Sequence, residues 1–331
     1  MSSLDRRTFL KTSGGLLGLA AAGSLAAGCA EADEPSAAPA SASSSAWSGF
    51  RYAMCNECMQ GRPWAEQCQV ISEAGYGAVE IAPFSLVVDY GKNSVRDFTA
   101  ADRAEFRRVM DDHGLACVGL HWLFTPPPHG LHFTTPDEAV RQQAIDYLKA
   151  LIDFSADLNG PYLIFGSPGQ RSTTGGSTVG EAKRRLVDGL AAVADHAADR
   201  GVMVLLEHLS PDQTDVVNLL FEAREIVDAV GRPEAINAMF DYHNTTGELH
   251  GFDRLIRDYA DYIKHVQIQE MDGRYLGTGN AIHDYAASFQ ALKDIGYDGW
   301  ISLEIFDFEP EDEVIANESM RVLKALEAKV T

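Results

Sequence analysis

The stretch EAKRRLVDGLAAVADHAADRGVMVLLEH (181–208) decides how the chain folds. It opens as an amphipathic helical pattern, stops at Gly201 as a helix C-cap would, and runs at once into VMVLLE, a short apolar strand ending in a carboxylate. The same unit recurs along the chain. Short apolar runs stand at 50–55 (FRYAMC), 77–81 (GAVEI), 115–120 (LACVGL), 161–166 (PYLIFG), 202–207 (VMVLLE), 235–241 (AINAMFD), 263–268 (IKHVQI) and 298–304 (DGWISLE). Between them lie helical patterns such as PWAEQCQVISEAG, AADRAEFRRVMDDHG and EAVRQQAIDYLKALIDFSADLNG, and EDEVIANESMRVLKALEAK closes the series.

Strands alternating with helices imply a parallel sheet joined by right-handed crossovers. Eight such units in residues 50–331 favour closure into an α/β (β/α)8 TIM barrel. An open doubly wound sheet is the alternative, weakened because MCNECMQGRP stands where a glycine-rich phosphate turn would follow the first strand. A barrel demands that its reactive side chains sit at the C-terminal ends of the strands.

Ahead of the barrel, DRRTFLK (5–11) is a twin-arginine signature, followed by the uncharged TSGGLLGLAAAGSLAAG. That run is short and rich in Gly and Ala, so residues 1–28 read as a Tat export signal rather than a membrane span. LAAGC (25–29) resembles a lipobox, which makes Cys29 the lipidated first residue; a plain Tat signal that merely contains a cysteine is the alternative. Residues 29–49, with EADEPSAAPASASSSAWS, form a Ser/Ala/Pro tether of flexible composition. The expected protein is therefore periplasmic or at the cell surface, touching the membrane only through a lipid at Cys29. The Tat route carries folded proteins, which favours a bound metal.

The chain has 331 residues, 46% hydrophobic, with net charge −21 and pI near 4.8. Such acidity excludes a nucleic-acid groove or an anionic membrane surface as partner and leaves a small molecule, or one carrying its own cation. Homo-oligomerisation stays open. Beyond Cys29 there are Cys55, Cys58, Cys68 and Cys117; buried thiols and a disulfide are both compatible with export. Cys55-x-x-Cys58 lacks a second pair or a histidine at zinc-finger spacing.

Strand five ends at Glu207, strand six at Asp241 with His243 beyond it, strand seven contains Gln267, and strand eight ends at Glu304. One carboxylate at a strand end is ordinarily a structural ion pair. Three carboxylates and an amide at four consecutive strand ends would converge at the barrel mouth, where buried anions repel. One divalent cation resolves that cost. An all-oxygen set suits Mn²⁺ first, with Mg²⁺ or Co²⁺ as alternatives, whereas zinc prefers nitrogen or sulfur.

With AGYGAVEIAPFSL (74–86), GLHWLF (119–124), FGSPGQRS (165–172), LLEHLSPDQTDVVN (205–218), FDYHNT (240–245), HVQIQEMDGRYLGTG (265–279) and GWISLE (299–304), the chain resembles the xylose-isomerase-like TIM barrels. These include sugar isomerases, ketose 3-epimerases and inosose dehydratase, and HVQ in strand seven is nearest the hydroxypyruvate-isomerase-like branch. The resemblance implies Glu207, Asp241, Gln267 and Glu304 as metal ligands, Gln267 standing where many relatives have a histidine and binding through its carbonyl oxygen. It implies Glu207 and Glu304 as the pair that moves a proton beside a carbonyl through a metal-stabilised enediolate. It also implies that Arg274 fixes a substrate oxygen, with a solvated loop arginine as the alternative. Many relatives carry Asp-x-x-His on strand six; here the spacing is Asp241-Tyr-His243, so the substrate contact of His243 stays open.

His121 and Glu80 are candidates to face the substrate, each with a core role as alternative. Arg171 in GSPGQR reads as an anion clip or as loop structure, Asn56 and Glu57 as rim residues, and His208 and His265 as structural. The implied activity is an exported, metal-dependent isomerase or epimerase of a non-phosphorylated sugar or keto-sugar. A 3-keto-glycoside lyase, including C-glycoside cleavage, shares its first step. A tethered sugar-binding lipoprotein without turnover is the third reading. The endonuclease branch of the family does not fit, because a histidine-rich multi-zinc site and a basic surface are both missing.

Overall fold

The structure, a computed structural model, describes residues 47–331; the Tat signal, Cys29 and nearly all of the tether lie outside the described residues. Residues 48–331 form one compact unit. Its eight strands are β1 (Arg51–Cys55), β2 (Ala78–Ile81), β3 (Ala116–Leu120), β4 (Tyr162–Phe165), β5 (Met203–Leu206), β6 (Ile236–Asp241), β7 (Ile263–Ile268) and β8 (Trp300–Leu303). Every neighbouring pair is parallel, and β8 pairs back onto β1, so the sheet is a closed barrel in sequence order. The open doubly wound alternative is thereby excluded. Each strand falls within two residues of its expected bounds, because buried parallel strands read as short apolar runs.

The helices carry the signals that ended the sequence patterns. Val179–Arg200 starts in a capping box, Thr178 with Glu181, and stops at Gly201 in the left-handed region. Ala100–Asp112 has the equivalent box of Thr99 with Asp102. Their apolar faces pack on the outside of the barrel in one continuous core that includes Leu186, Leu190, Val193, Phe106 and Phe154.

Inside the barrel the filling changes along the axis. Small separate clusters, Ala53 with Ala78 and Val118, and Ile164 with Leu205 and Met239, are apolar. Toward the C-terminal ends the buried residues are Glu80, His121, His265, Gln267 and Ser302. A bulge where β2 meets β3 sets this layer: the register slips between Val79 and Glu80, and Gly119 lies against the Tyr162 carbonyl at φ +138°, where no side chain fits. Among the described residues Cys55, Cys58, Cys68 and Cys117 are free thiols, and no helix is long and apolar enough to cross a membrane.

Candidate active site

Parallel closure carries the ends of β5, β6 and β8 to one mouth. There Glu207, Asp241 and Glu304 lie with carboxylate oxygens all within 4.8 Å of one another, and all three residues are buried. Burial, then the neighbouring carboxylates, pushes Glu207 and Asp241 well above the usual carboxylate range. Asn244 spans the pair, its Nδ2 donating to Glu207 Oε1 at 2.8 Å and to Asp241 Oδ2. The His243 backbone N–H donates to Asp241 Oδ1 at 3.1 Å.

Glu304 is held from the other side. Trp122 Nε1 donates to its Oε1 at 2.7 Å, and His121 Nδ1 lies 3.2 Å from the same oxygen. The opposite ring nitrogen of His121 is 3.2 Å from Glu57 Oε2. Burial opposes charge on His121, but the Glu57 and Glu304 carboxylates outweigh it and raise the imidazole well above its ordinary value.

Glu304 Oε2 and Gln267 Oε1 are among the buried acceptors that have no donor. Gln267 pairs in register with Asp241, and its amide Nε2 donates at 2.8 Å to Glu80 Oε1, so the carbonyl oxygen is the end left over. The three clustered carboxylates, with Glu304 Oε2 and the Gln267 carbonyl oxygen unfilled, are an oxygen donor set that a divalent cation fits.

A sequence model described as xylose isomerase-like TIM barrel matches residues 68–326. The chain belongs to this family. An L-ribulose 3-epimerase of Methylomonas sp. is 28% identical over 252 residues, covering 74% of this chain and 79% of the relative. A ketose 3-epimerase of Arthrobacter globiformis is 27% identical over 260 residues, covering 77% and 80%. Among solved structures, a D-psicose 3-epimerase in the presence of D-fructose superposes with TM-score 0.71 at 17% identity, covering 83% of this chain and 97% of that one. At such identity the superposition speaks for the fold.

Other candidate residues of this xylose isomerase-like barrel have partners within the protein. Glu80 is fully buried, bound to His265 Nε2 at 2.7 Å as well as to Gln267. Burial works against its charge, yet His265 holds its carboxyl down at about 2. Arg171 lies inside the fold. It is fully buried, donates to the Phe165 carbonyl at 2.9 Å and the Val217 carbonyl at 3.4 Å, and staples two mouth loops.

Arg274 is half-exposed and paired with Asp272 at 2.7 Å. His243 reaches only the rim, where Nδ1 faces the Met271 carbonyl at 3.0 Å and the ring lies 5.0 Å from Phe306. Asn56 is committed to Gln67, Ser85 and the Ala82 amide, inside the fold. His121 does line the cleft, beside Glu207 and Glu304.

Sequence reasoning missed Asn244, Trp122, Gln213 and Phe306. A signal for Asn244 was present. It stands three residues after Asp241, the Asp-x-x-His position of many relatives, and a 3-10 turn at His243–Thr245 folds it back over Asp241. Gln213 Nε2 donates to Asn244 Oδ1 at 2.6 Å and so orients the amide.

Proposed function

We propose that the protein is a metal-dependent epimerase or isomerase of a non-phosphorylated keto-sugar, with Glu207 and Glu304 as its proton carriers. The observation that carries this reading is the Glu207, Asp241 and Glu304 triad at the barrel mouth, in a chain whose curated relatives include ketose 3-epimerases. Glu207, Asp241, Glu304 and the Gln267 carbonyl would hold one divalent cation, and manganese suits an all-oxygen set best. When bound, that cation supplies Lewis-acid polarisation of the substrate carbonyl.

The remaining chemistry belongs to the chain. One carboxylate, ionised, takes the proton from the carbon beside the carbonyl; the other, protonated, returns a proton to the opposite face of that carbon, which inverts it. Glu207 is buried within the same cleft, its carboxylate close to those of Asp241 and Glu304. Trp122 and His121 fix Glu304 through Oε1 and leave Oε2 without a partner, in position to exchange a proton. Trp122 and Phe306 wall the cleft and keep water from the reacting carbon.

Elimination from a 3-keto-glycoside would start with the same proton removal, so a lyase differs only in what leaves next. DRRTFLK and LAAGC support export by the Tat route and lipid anchoring at Cys29, which in turn supports a non-phosphorylated substrate. The test is to incubate Mn²⁺-loaded and chelator-stripped protein with free ketoses and follow the products by chromatography. A C3 epimer or aldose formed only by the loaded protein is the expected result. Release of an aglycone from a 3-keto-glycoside, with ketoses untouched, would replace epimerase by lyase; binding without any conversion would leave a sugar-binding protein.

A further inference from the structure

The space beside the catalytic carboxylates is narrow, about 40 Å³, and it opens into a second chamber of about 320 Å³. The two share one wall, made by Trp122, Ser167, Pro168, Gln213 and Phe306. Beyond that wall the outer chamber is bounded by Thr125, Pro126, Gly169 and Gln170. Flat aromatic faces alternate with amide and hydroxyl groups, a lining suited to a ring with polar edges.

The aromatic wall is built deliberately. Phe84, Trp122 and Phe306 stack in series, with centroids 5.6 and 6.1 Å apart and planes inclined by only 17° and 13°. Phe308 adds a fourth ring 6.2 Å from Trp122. Phe306, which lines both cavities, remains 38% exposed, a costly state for a phenylalanine at a pocket mouth unless something covers it. The backbone is bent to make this wall. Trp122 and Ser167 sit at φ +50° and +48°, a conformation costing roughly 1–2 kcal/mol per non-glycine residue. Both line both cavities.

We propose that this chamber is a second subsite, which takes a ring-bearing substituent on the sugar whose carbonyl end lies at the carboxylates. The preferred substrate is then a keto-sugar in glycosidic linkage, to an aromatic aglycone or to a second sugar, rather than a free ketose. The proposal rests on the sugar-epimerase reading for its chemistry but not for its geometry, so binding and turnover test it separately.

Gly169 offers a clean probe. It lines only the outer chamber, has no positive φ, and a Cβ there meets nothing within 4 Å. Gly169→Trp therefore fills the chamber, and Gly169→Ala is the control for the loss of glycine. With Mn²⁺-loaded protein, calorimetry compares D-glucose, 4-nitrophenyl β-D-glucopyranoside and cellobiose as binding probes. One or both ring-extended probes should bind at least about tenfold tighter than glucose, and Gly169→Trp but not Gly169→Ala should erase that preference. Gain by the aryl glucoside alone assigns an aglycone site, and gain by cellobiose alone a sugar site.

Equal binding of all three by the unsubstituted protein, or a preference that survives Gly169→Trp in a variant of native circular dichroism, overturns the subsite. Turnover is read on the corresponding 3-keto-glycosides and on free ketoses. Should neither class react, the epimerase reading falls while the binding arm still decides the chamber.

Discussion

At the scale of single residues, the site gathers three buried carboxylates that receive few donors. Glu207 and Asp241 share the Asn244 amide, while Glu304 takes donors from Trp122 and His121 on one oxygen only. Glu207→Gln and Glu304→Gln keep the shape and remove the proton carrier. Each should lower kcat by about 100- to 10,000-fold with an unchanged circular dichroism spectrum, measured on ketose turnover. Survival of turnover in both variants would remove the proposed acid and base. Asn244→Ala leaves two buried carboxylates short of a donor; metal affinity, measured by titration, should fall by about 10- to 100-fold while the fold persists.

Not all of this was legible in the chain. Carboxylates that end apolar runs in successive units are visible because both signals are local. The partners of Arg171 are the carbonyls of Phe165 and Val217, which no sequence displays, so anion clip and loop structure could not be told apart there. Arg274 pairs with Asp272, two residues upstream, at the surface, a pairing its flanking glycines do not announce.

At the scale of elements, two joints fix the mouth. The first links β2 to β7 across the barrel: Glu80 binds both His265 and Gln267, and leaves the Gln267 carbonyl oxygen without a partner. The pairing spans 185 residues, which is why Glu80 read as a candidate for substrate contact. Removing it as Glu80→Ala strands a buried histidine and an amide and should cost about 3–5 kcal/mol in chemical denaturation. Its pH signature follows from the depressed carboxyl. The stabilisation is fully present above the ordinary glutamate range and is lost as pH falls toward the folded value of about 2. Glu80→Gln should therefore flatten the acid limb of the stability profile; an unaltered limb would show that the pair contributes nothing.

The second joint is the loop after β4. A Cβ at Gly166 would collide with Glu207 Oε2. Gly166→Ala should displace that carboxylate and cut kcat by at least about tenfold, with a smaller effect on stability.

At the scale of the whole molecule, the barrel was readable because its period is coarse: eight apolar runs, each followed by an amphipathic helix and often a capping glycine. The filling of its interior was not. The apolar layers Ala53, Ala78, Val118 and Ile164, Leu205, Met239 give way to a polar layer only because closure brings together residues far apart in the chain. Closure also concentrates negative charge at one end, so cation binding should stabilise the whole fold. At 100 times its dissociation constant a ligand adds about 2.7 kcal/mol, and Mn²⁺ at that level should raise Tm by several degrees over the chelated protein. The same rise in a Glu207→Gln, Asp241→Asn double variant would mean that the cation binds elsewhere.

The central claim is that Glu207 and Glu304 move a proton at the carbon beside a keto-sugar carbonyl. Proton NMR of the Mn²⁺-loaded protein with a ketose or a 3-keto-glycoside in D₂O measures this directly. The account predicts deuterium entering at that carbon with the unsubstituted protein and none with Glu207→Gln or Glu304→Gln. Absence of deuterium with the loaded, unsubstituted protein, or equal exchange in all three, would contradict it.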